Sequence, residues 1–133
     1  MKWMITLIAV LGALAAVVGC SGNPEPESPK SEAEQVFVGL ASFYGSEFTG
    51  RTTASGDKYD PSSYTAAHRS LPLGTKVLVT NLENNLSVMV TINDRGPQRA
   101  DRIIDLSFAA ANDLKMITTG VVKVRVEVVH EKS

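Results

Sequence analysis

The sequence has few cysteine, histidine and aromatic residues and almost no net charge. Its one cysteine excludes an intrachain disulfide, and it contains neither a Cys-x-x-Cys motif nor a histidine pair at metal-ligand spacing. The formal net charge is −1, and the basic residues are scattered rather than interleaved with the four phenylalanines, three tyrosines and one tryptophan. We therefore expect no nucleic-acid partner, no metal site and no cofactor.

Residues 1–19 are typical of a secretory signal peptide. Lys2 gives a positive start, and the apolar run at 4–18 is shorter than the roughly 20 residues of a membrane span. The sequence Val-Val-Gly-Cys at 17–20 resembles the lipobox of bacterial lipoproteins, which implies cleavage before Cys20 and acylation of that residue. A plain signal peptide with an incidental cysteine is the alternative. Because Ser21 rather than aspartate follows Cys20, we expect an anchor in the outer membrane, facing the periplasm.

The segment 20–35 combines this cysteine with a linker. Its residues 21–34 hold three of the six prolines, four glutamates and no Val, Ile, Leu or aromatic residue. Such a composition cannot bury enough apolar surface to offset the entropy lost on folding, so we expect an extended, solvated linker. One folded domain is therefore predicted, at 36–130.

Alternating apolar and polar residues dominate that domain. They predict strands at 36–44, 76–80, 87–92, 102–105 and 122–128, with a hairpin connection at 81–85. A single helix is predicted at 108–115, capped by Ser107. Short strands with one short helix are typical of a small β-barrel or β-sandwich, and the pattern does not choose between them.

Polar residues of catalytic type follow the apolar segments. Asp94 lies just beyond the C-terminal end of the strand at 87–92. Asp57, Asp60 and His68 lie in two polar segments upstream. We interpret these four side chains as converging on one groove. The alternative is structural: aspartates in turns often bond their own backbone, and a lone histidine is more often a hydrogen-bonding residue than a catalyst. Asp105 is interpreted as a local cap or an ion-pair partner.

Four motifs in order resemble the rare lipoprotein A (RlpA-like) family. They are Gly-Leu-Ala-Ser-Phe-Tyr-Gly at 39–45, the segment 53–60, Thr-Ala-Ala-His at 65–68 with Leu-Pro-Leu-Gly at 71–74, and Asn-Asp-Arg-Gly-Pro at 93–97 running on to 107. The resemblance implies an all-β fold, a six-stranded double-psi β-barrel with one short helix. It also implies a role on bacterial peptidoglycan. Some members cleave glycan strands between N-acetylmuramic acid and N-acetylglucosamine and leave a 1,6-anhydro end, while others bind without demonstrated cleavage.

This chemistry needs an acid that protonates the leaving oxygen. Because the 6-hydroxyl of the sugar is the nucleophile, one carboxyl group can act first as acid and then as base. The resemblance favours Asp94 for this role, with His68, Asp57 and Asp60 as further catalytic residues. Tyr44, Tyr59 and Arg95 are predicted to bind substrate, the tyrosines by offering ring faces to sugars, although one or more of the aromatic rings is expected in the core. The predicted partners are peptidoglycan glycan strands and, through Cys20, a membrane.

Two departures from the family bear on activity. The family usually carries glutamate where this sequence has Asp57, and longer members continue into a SPOR domain where this sequence stops after its last strand. Both favour the alternative function, an expansin-like glycan-binding or scaffolding lipoprotein. The presence of Asp94 and His68 favours the predicted function, an endolytic lytic transglycosylase of peptidoglycan. An endoglucanase-like hydrolase, which would release reducing ends, is a weaker alternative.

Overall fold

A computed structural model describes residues 35–130. The predicted signal peptide, Cys20 and all but the last residue of the linker lie outside the described residues. Six strands are described: β1 (Val36–Phe43), β2 (Thr65–Ala67), β3 (Lys76–Asn81), β4 (Ser87–Asp94), β5 (Ile104–Leu106) and β6 (Val122–Val129). A 3₁₀ turn, Ser46–Phe48, follows β1, and helix α1, Phe108–Asp113, follows β5.

The six strands close into a barrel in the order β1-β5-β2-β4-β3-β6. The pairs β1–β5 and β2–β4 are parallel, and the remaining pairs are antiparallel. Closure comes from β6, which pairs with both β1 and β3 and so leaves no free sheet edge. The prediction of a small barrel is confirmed, and the sandwich is excluded.

Strand alternation fills the barrel interior with small branched side chains. Val90 and Ile92 of β4 are buried, as are Val122, Val124 and Val126 of β6. Each such side chain contributes about 1.5–3 kcal/mol relative to an exposed one. In the helix region Leu106, Ala110 and Leu114, spaced by four residues, are all fully buried.

Helix α1 has the predicted cap but is shorter than predicted. The Ser107 side chain accepts a hydrogen bond from the Ala110 N–H at 3.3 Å. The helix ends at Asp113 because Lys115 has a φ of 56°, in the left-handed region that stops an α-helix. Within the described part of the chain, no helix has the length and apolar content to cross a membrane.

The strands differ most from the sequence-based expectation at β5 and β2, while the other four differ by one or two residues at one end. β5 begins at Ile104 rather than at residue 102, since the preceding residues form a turn in which the Arg102 N–H bonds the Arg99 carbonyl at 3.3 Å. β2 is a strand that the sequence pattern does not predict. It has three residues, Thr65–Ala67, too few to display a period of two.

Candidate functional site

Four residues on four adjacent strands form one row across the barrel. Register pairs Ser42 of β1 with Asp105 of β5, Asp105 with Ala67 of β2, and Ala67 with Asp94 of β4. The backbones of Asp105 and Asp94 are thus separated by two strand spacings, about 10 Å. Asp94 and Asp105 therefore flank the small side chain of Ala67.

A β-bulge in β4 brings Asp94 into this row. Ala66 pairs with Ile92, but the next residue, Ala67, pairs with Asp94, so Asn93 is the extra residue. Without the bulge Ala67 would face Asn93, and the carboxylate would lie one residue out of register. Bulges next to functional sites commonly re-aim a side chain in this way.

A cavity of about 530 Å³ lies over the row. It is lined by two carboxylates, three guanidinium groups, four aromatic rings and smaller residues of three segments: Ser42, Phe43, Tyr44, Phe48, Arg51, Thr52, Thr53, Tyr59, Asp94, Arg95, Gly96, Pro97, Gln98, Arg102 and Asp105. Its volume is in the range of small-molecule and substrate sites. Among residues 35–130, no group of three or more histidine, cysteine, aspartate or glutamate side chains is arranged to hold a metal ion.

The Asp94 carboxylate accepts hydrogen bonds from three donors. Oδ1 accepts from the backbone N–H groups of Ala54 and Arg95, both at 2.9 Å. Oδ2 accepts from the Tyr44 hydroxyl at 2.7 Å. The backbone bonding expected of a structural aspartate is therefore present on one oxygen, and the side chain also lines the cavity.

Asp105 is a cavity residue that the sequence interpretation does not assign to the site. It was interpreted as a cap or an ion-pair partner, but the helix cap is Ser107, and the Asp105 carboxylate accepts a hydrogen bond from the Ser42 hydroxyl instead. That bond follows from the register of β1 and β5, which places the two residues side by side. Strand register between distant segments leaves no signal in a single sequence, so the pair was not foreseeable from the pattern.

His68 is buried and does not line the cavity. Its Nδ1 accepts hydrogen bonds from the N–H groups of Ser70 and Leu71, both at 3.1 Å, and its ring lies 5.3 Å from that of Phe37. Burial lowers the pKa of His68, with Arg69 adding to the effect. The neutral ring therefore carries its proton on Nε2. These contacts fit the structural alternative, and a catalytic role for His68 stays a prediction.

Asp57 and Asp60 lie in exposed turns outside the cavity lining. Asp57 Oδ2 accepts from the Ser55 hydroxyl at 3.1 Å. Asp60 Oδ1 accepts from the Ser62 N–H at 2.9 Å and hydroxyl at 2.8 Å, and these donors lower the pKa of Asp60. Of the four side chains predicted to converge, only Asp94 lines the cavity, because the short-range polar contacts of the other three hold them in their own turns.

The three predicted substrate-binding residues all line the cavity. Tyr44 and Tyr59 pack edge to face with centroids 4.6 Å apart, and the Tyr59 hydroxyl accepts from the Phe108 N–H at 3.0 Å. Tyr59 is 4% exposed, so it is the ring that belongs to the core, and burial raises the pKa of its hydroxyl. Arg95 donates through Nη1 to the carbonyls of His68 and Leu71, both at 2.8 Å, and so also holds the turn at 68–71. Substrate binding by these residues stays a prediction.

Arg69 fixes the loop that forms one wall of the cavity, a role that the sequence did not indicate. Its guanidinium donates to the carbonyls of Pro97, Arg99 and Arg102, the last at 2.6 Å. Arg102 also lines the cavity, and its Nε is buried without a hydrogen-bond partner among the described residues. The Arg69 side chain thus holds this wall of the cavity through hydrogen bonds to three backbone carbonyls.

Comparisons with known proteins agree with this architecture. A family model described as lytic transglycolase matches residues 36–126. Two relatives with the name endolytic peptidoglycan transglycosylase RlpA are 53% identical over 69% of the chain (Haemophilus influenzae) and 56% identical over 68% of it (Pseudomonas aeruginosa). These alignments cover 32% and 26% of the relatives' own lengths, so the chain spans a third or less of each.

A solved structure supports the fold. The Streptomyces papain inhibitor superposes with a TM-score of 0.59 and 26% identity, over 72% of this chain and 96% of the inhibitor. Together with the closed six-strand order and the family match, this confirms the predicted six-stranded double-psi β-barrel.

Proposed function

The chain belongs to the lytic transglycolase family, and from that premise we propose that its barrel is an endolytic lytic transglycosylase of peptidoglycan. The observation that carries the proposal is the placement of Asp94 in a cavity of about 530 Å³, with Asp105 on the far side of Ala67. The names of the Haemophilus and Pseudomonas relatives support the same activity.

In the proposed reaction Asp94 acts first as acid and then as base. The protonated carboxyl gives its proton to the oxygen that links N-acetylmuramic acid to N-acetylglucosamine, and the bond from C1 of muramic acid to that oxygen breaks. The carboxylate then takes the proton of the 6-hydroxyl as its oxygen bonds to C1. Asp94 ends protonated as it began, no water is consumed, and the product carries a 1,6-anhydro ring.

Asp105 supports a second candidate, hydrolysis. A hydrolase of the inverting type needs a second carboxylate, about 6.5–9.5 Å from the first, to activate water. Asp94 and Asp105 have backbones about 10 Å apart across β2, which allows such a separation. The two reactions differ in the nucleophile and not in the acid, so Asp94 alone does not distinguish them. Family membership favours the transglycosylase.

Product analysis tests the proposal. The full chain, purified in detergent, is incubated with purified glycan strands, and the products are measured by mass spectrometry. Fragments with anhydro ends, lighter by one water than reducing fragments, are the expected result. Reducing ends would replace the proposal with hydrolysis. Intact strands retained by the protein would replace it with the glycan-binding function.

We also propose that Cys20 anchors the chain in the outer membrane with the barrel facing the periplasm. The lipobox-like sequence at 17–20 and the serine at 21 support this placement. Each methylene of an acyl chain buried in the bilayer contributes about 0.8 kcal/mol. Cys20→Ala is expected to release the protein from the membrane fraction or leave it unprocessed. Mature protein without acyl mass on Cys20 would contradict the anchor.

A further inference from the structure

The two oxygens of Asp94 differ in their hydrogen-bond environment. Oδ1 accepts two backbone N–H groups, from Ala54 and Arg95, and these occupy both of its lone pairs. Oδ2 accepts one hydroxyl, that of Tyr44, at 2.7 Å. Among the contacts of the described residues, one lone pair of Oδ2 is therefore the position left for a transferred proton.

Backbone and ring contacts fix the position of Tyr44 beside Asp94 Oδ2. It follows the last residue of β1, and its N–H bonds the Leu106 carbonyl at 2.9 Å. Its ring lies 5.5 Å from the ring of Phe48 and 4.6 Å from that of Tyr59. Burial first, and then the hydrogen bond to Asp94, raise the pKa of the Tyr44 hydroxyl well above its ordinary value. The phenol is consequently a neutral donor at physiological pH.

We propose that Tyr44 is a positioning residue for the reaction, whose hydroxyl fixes Asp94 Oδ2 as the oxygen that gives and regains the proton. This role rests on the proposed function, and it differs from sugar stacking, which needs only the ring. As the carboxyl loses its proton, the Tyr44 hydroxyl is already placed to donate to the oxygen on which charge develops. A donor arranged in advance costs no reorganisation at that moment.

Several other charged or titratable groups share the cavity. Arg51, Arg95, Arg102, Asp105 and Tyr59 line it together with Tyr44 and Asp94. Tyr44→Phe leaves all of them in place and removes one oxygen atom. A change in kcat in this variant therefore reports the lost hydroxyl.

The chain supplies a matched control. Tyr64 donates to Asp113 Oδ2 at 3.0 Å, the same tyrosine-to-aspartate bond, on exposed residues that do not line the cavity. In Tyr44→Phe we expect kcat for strand cleavage to fall about 10- to 100-fold, the range for a lost hydrogen bond to a charged group. KM and the melting temperature are expected to change little. Tyr64→Phe is expected to leave kcat unchanged. Equal kcat in Tyr44→Phe and wild type would overturn the proposal.

A double-mutant cycle tests whether Tyr44 acts through Asp94. If it does, Tyr44→Phe added to Asp94→Asn lowers kcat no further than Asp94→Asn alone. Additive losses would overturn the proposal and would indicate a separate effect of Tyr44, such as contact with the sugar.

A third measurement does not depend on cleavage. The side-chain carboxyl carbon of Asp94 is observed by carbon-13 NMR in the full chain at one pH and is assigned by comparison with Asp94→Asn. Because the carboxyl group loses the Tyr44 hydrogen bond in Tyr44→Phe, its chemical shift is expected to differ from wild type, whereas Tyr64→Phe is expected to leave it unchanged. An unchanged chemical shift in Tyr44→Phe would overturn the role of Tyr44 even if the enzyme is active. A changed chemical shift in a protein that cleaves nothing would leave the Tyr44 contact standing and refute the proposed function.

Discussion

Asp94 and Asp105 lie in one row of the barrel with only Ala67 between them. The two carboxylates have different partners, since Asp94 accepts from two backbone N–H groups and a phenol, and Asp105 accepts from the Ser42 hydroxyl. Two carboxyl groups in different environments can take different roles. One can transfer the proton, and the other can contact the substrate or stabilise developing charge.

Asp105→Asn tests whether the second carboxylate takes part. The substitution keeps the shape and replaces the carboxylate beside Ser42 with an amide, so we expect cleavage to fall about 10²-fold, the lower end of the range for lost acid–base or electrostatic groups. The melting temperature is expected to change little. Asp101→Asn is the control, because Asp101 is exposed and pairs with Arg99 at 3.2 Å. Equal activity of Asp105→Asn and wild type would exclude a role in the reaction.

Asp57→Glu tests the departure from the family pattern. Asp57 is exposed in the loop whose Ala54 N–H bonds Asp94. Glutamate moves the carboxyl about one C–C bond, roughly 1.5 Å, farther from the backbone. A displacement near 1 Å can change a rate on the order of 10²-fold. We expect Asp57→Glu to cleave glycan strands faster, with binding nearly unchanged. Asp57→Ala that preserves both cleavage and binding would identify Asp57 as a turn residue only.

The lowered pKa of His68 predicts that the stability of the fold depends on pH. Burial, with Arg69 and Arg95, lowers its pKa below the ordinary 6.5. Between 6.5 and the lowered value, the unfolded chain binds a proton at His68 that the folded chain does not bind. The free energy of unfolding therefore falls as the pH decreases through this window, and the contribution is constant above it.

His68→Asn isolates that contribution. The Asn side-chain oxygen can replace Nδ1 as acceptor for the Ser70 and Leu71 N–H groups, but it does not titrate. Urea unfolding of both proteins is measured on either side of pH 6.5, the ordinary value for histidine. The stability loss at the lower pH is expected to be smaller in the variant. Equal losses would show that His68 is not the group responsible.

Asn81 ties the β3–β4 connection to the end of α1. Its side chain is 1% exposed, donates to the Leu114 carbonyl at 2.9 Å and accepts from the Glu83 N–H at 2.9 Å. Asn81→Ala is expected to lower the free energy of unfolding by about 1–3 kcal/mol, since it removes two hydrogen bonds made by a buried side chain. The matched control is Asn84→Ala, whose exposed side chain bonds the same carbonyl at 3.1 Å. An equal loss in the two variants, measured by urea unfolding, would contradict the importance of burial.

The sequence predicted the long strands better than the site. Alternation in β4 and β6 is a local signal, and burial of Val90 and Val124 confirms it. β2 has three residues and no visible period, so its pairing with β4 and β5 could be identified only from the structure. The parallel β1–β5 and β2–β4 pairs join residues far apart in the chain, and no local pattern encodes their register.

The site was partly predictable for the same physical reason. Asp94 is predictable because it lies at the end of an apolar strand, of which it is the last residue. The bulge at Asn93 that aims it, and the pairing that places Asp105 near it, depend on contacts between separate strands. His68, Asp57 and Asp60 are grouped with Asp94 because they lie in polar segments upstream of it, and the resemblance favours the same grouping. Their observed partners are local turn groups, a possibility that their residue types already allowed.

The role of Asp94 is tested most directly by the rate of strand cleavage in Asp94→Asn, measured on the full chain in detergent with purified glycan strands. Asparagine keeps the shape and cannot transfer the proton, so the rate is expected to fall roughly 10²–10⁴-fold with little change in melting temperature. Asp113→Asn is the control, because Asp113 accepts the same kind of tyrosine hydroxyl at an exposed position outside the cavity. Full activity of Asp94→Asn, or loss of activity only in step with loss of the fold, would contradict the assignment of Asp94 as the acid and base.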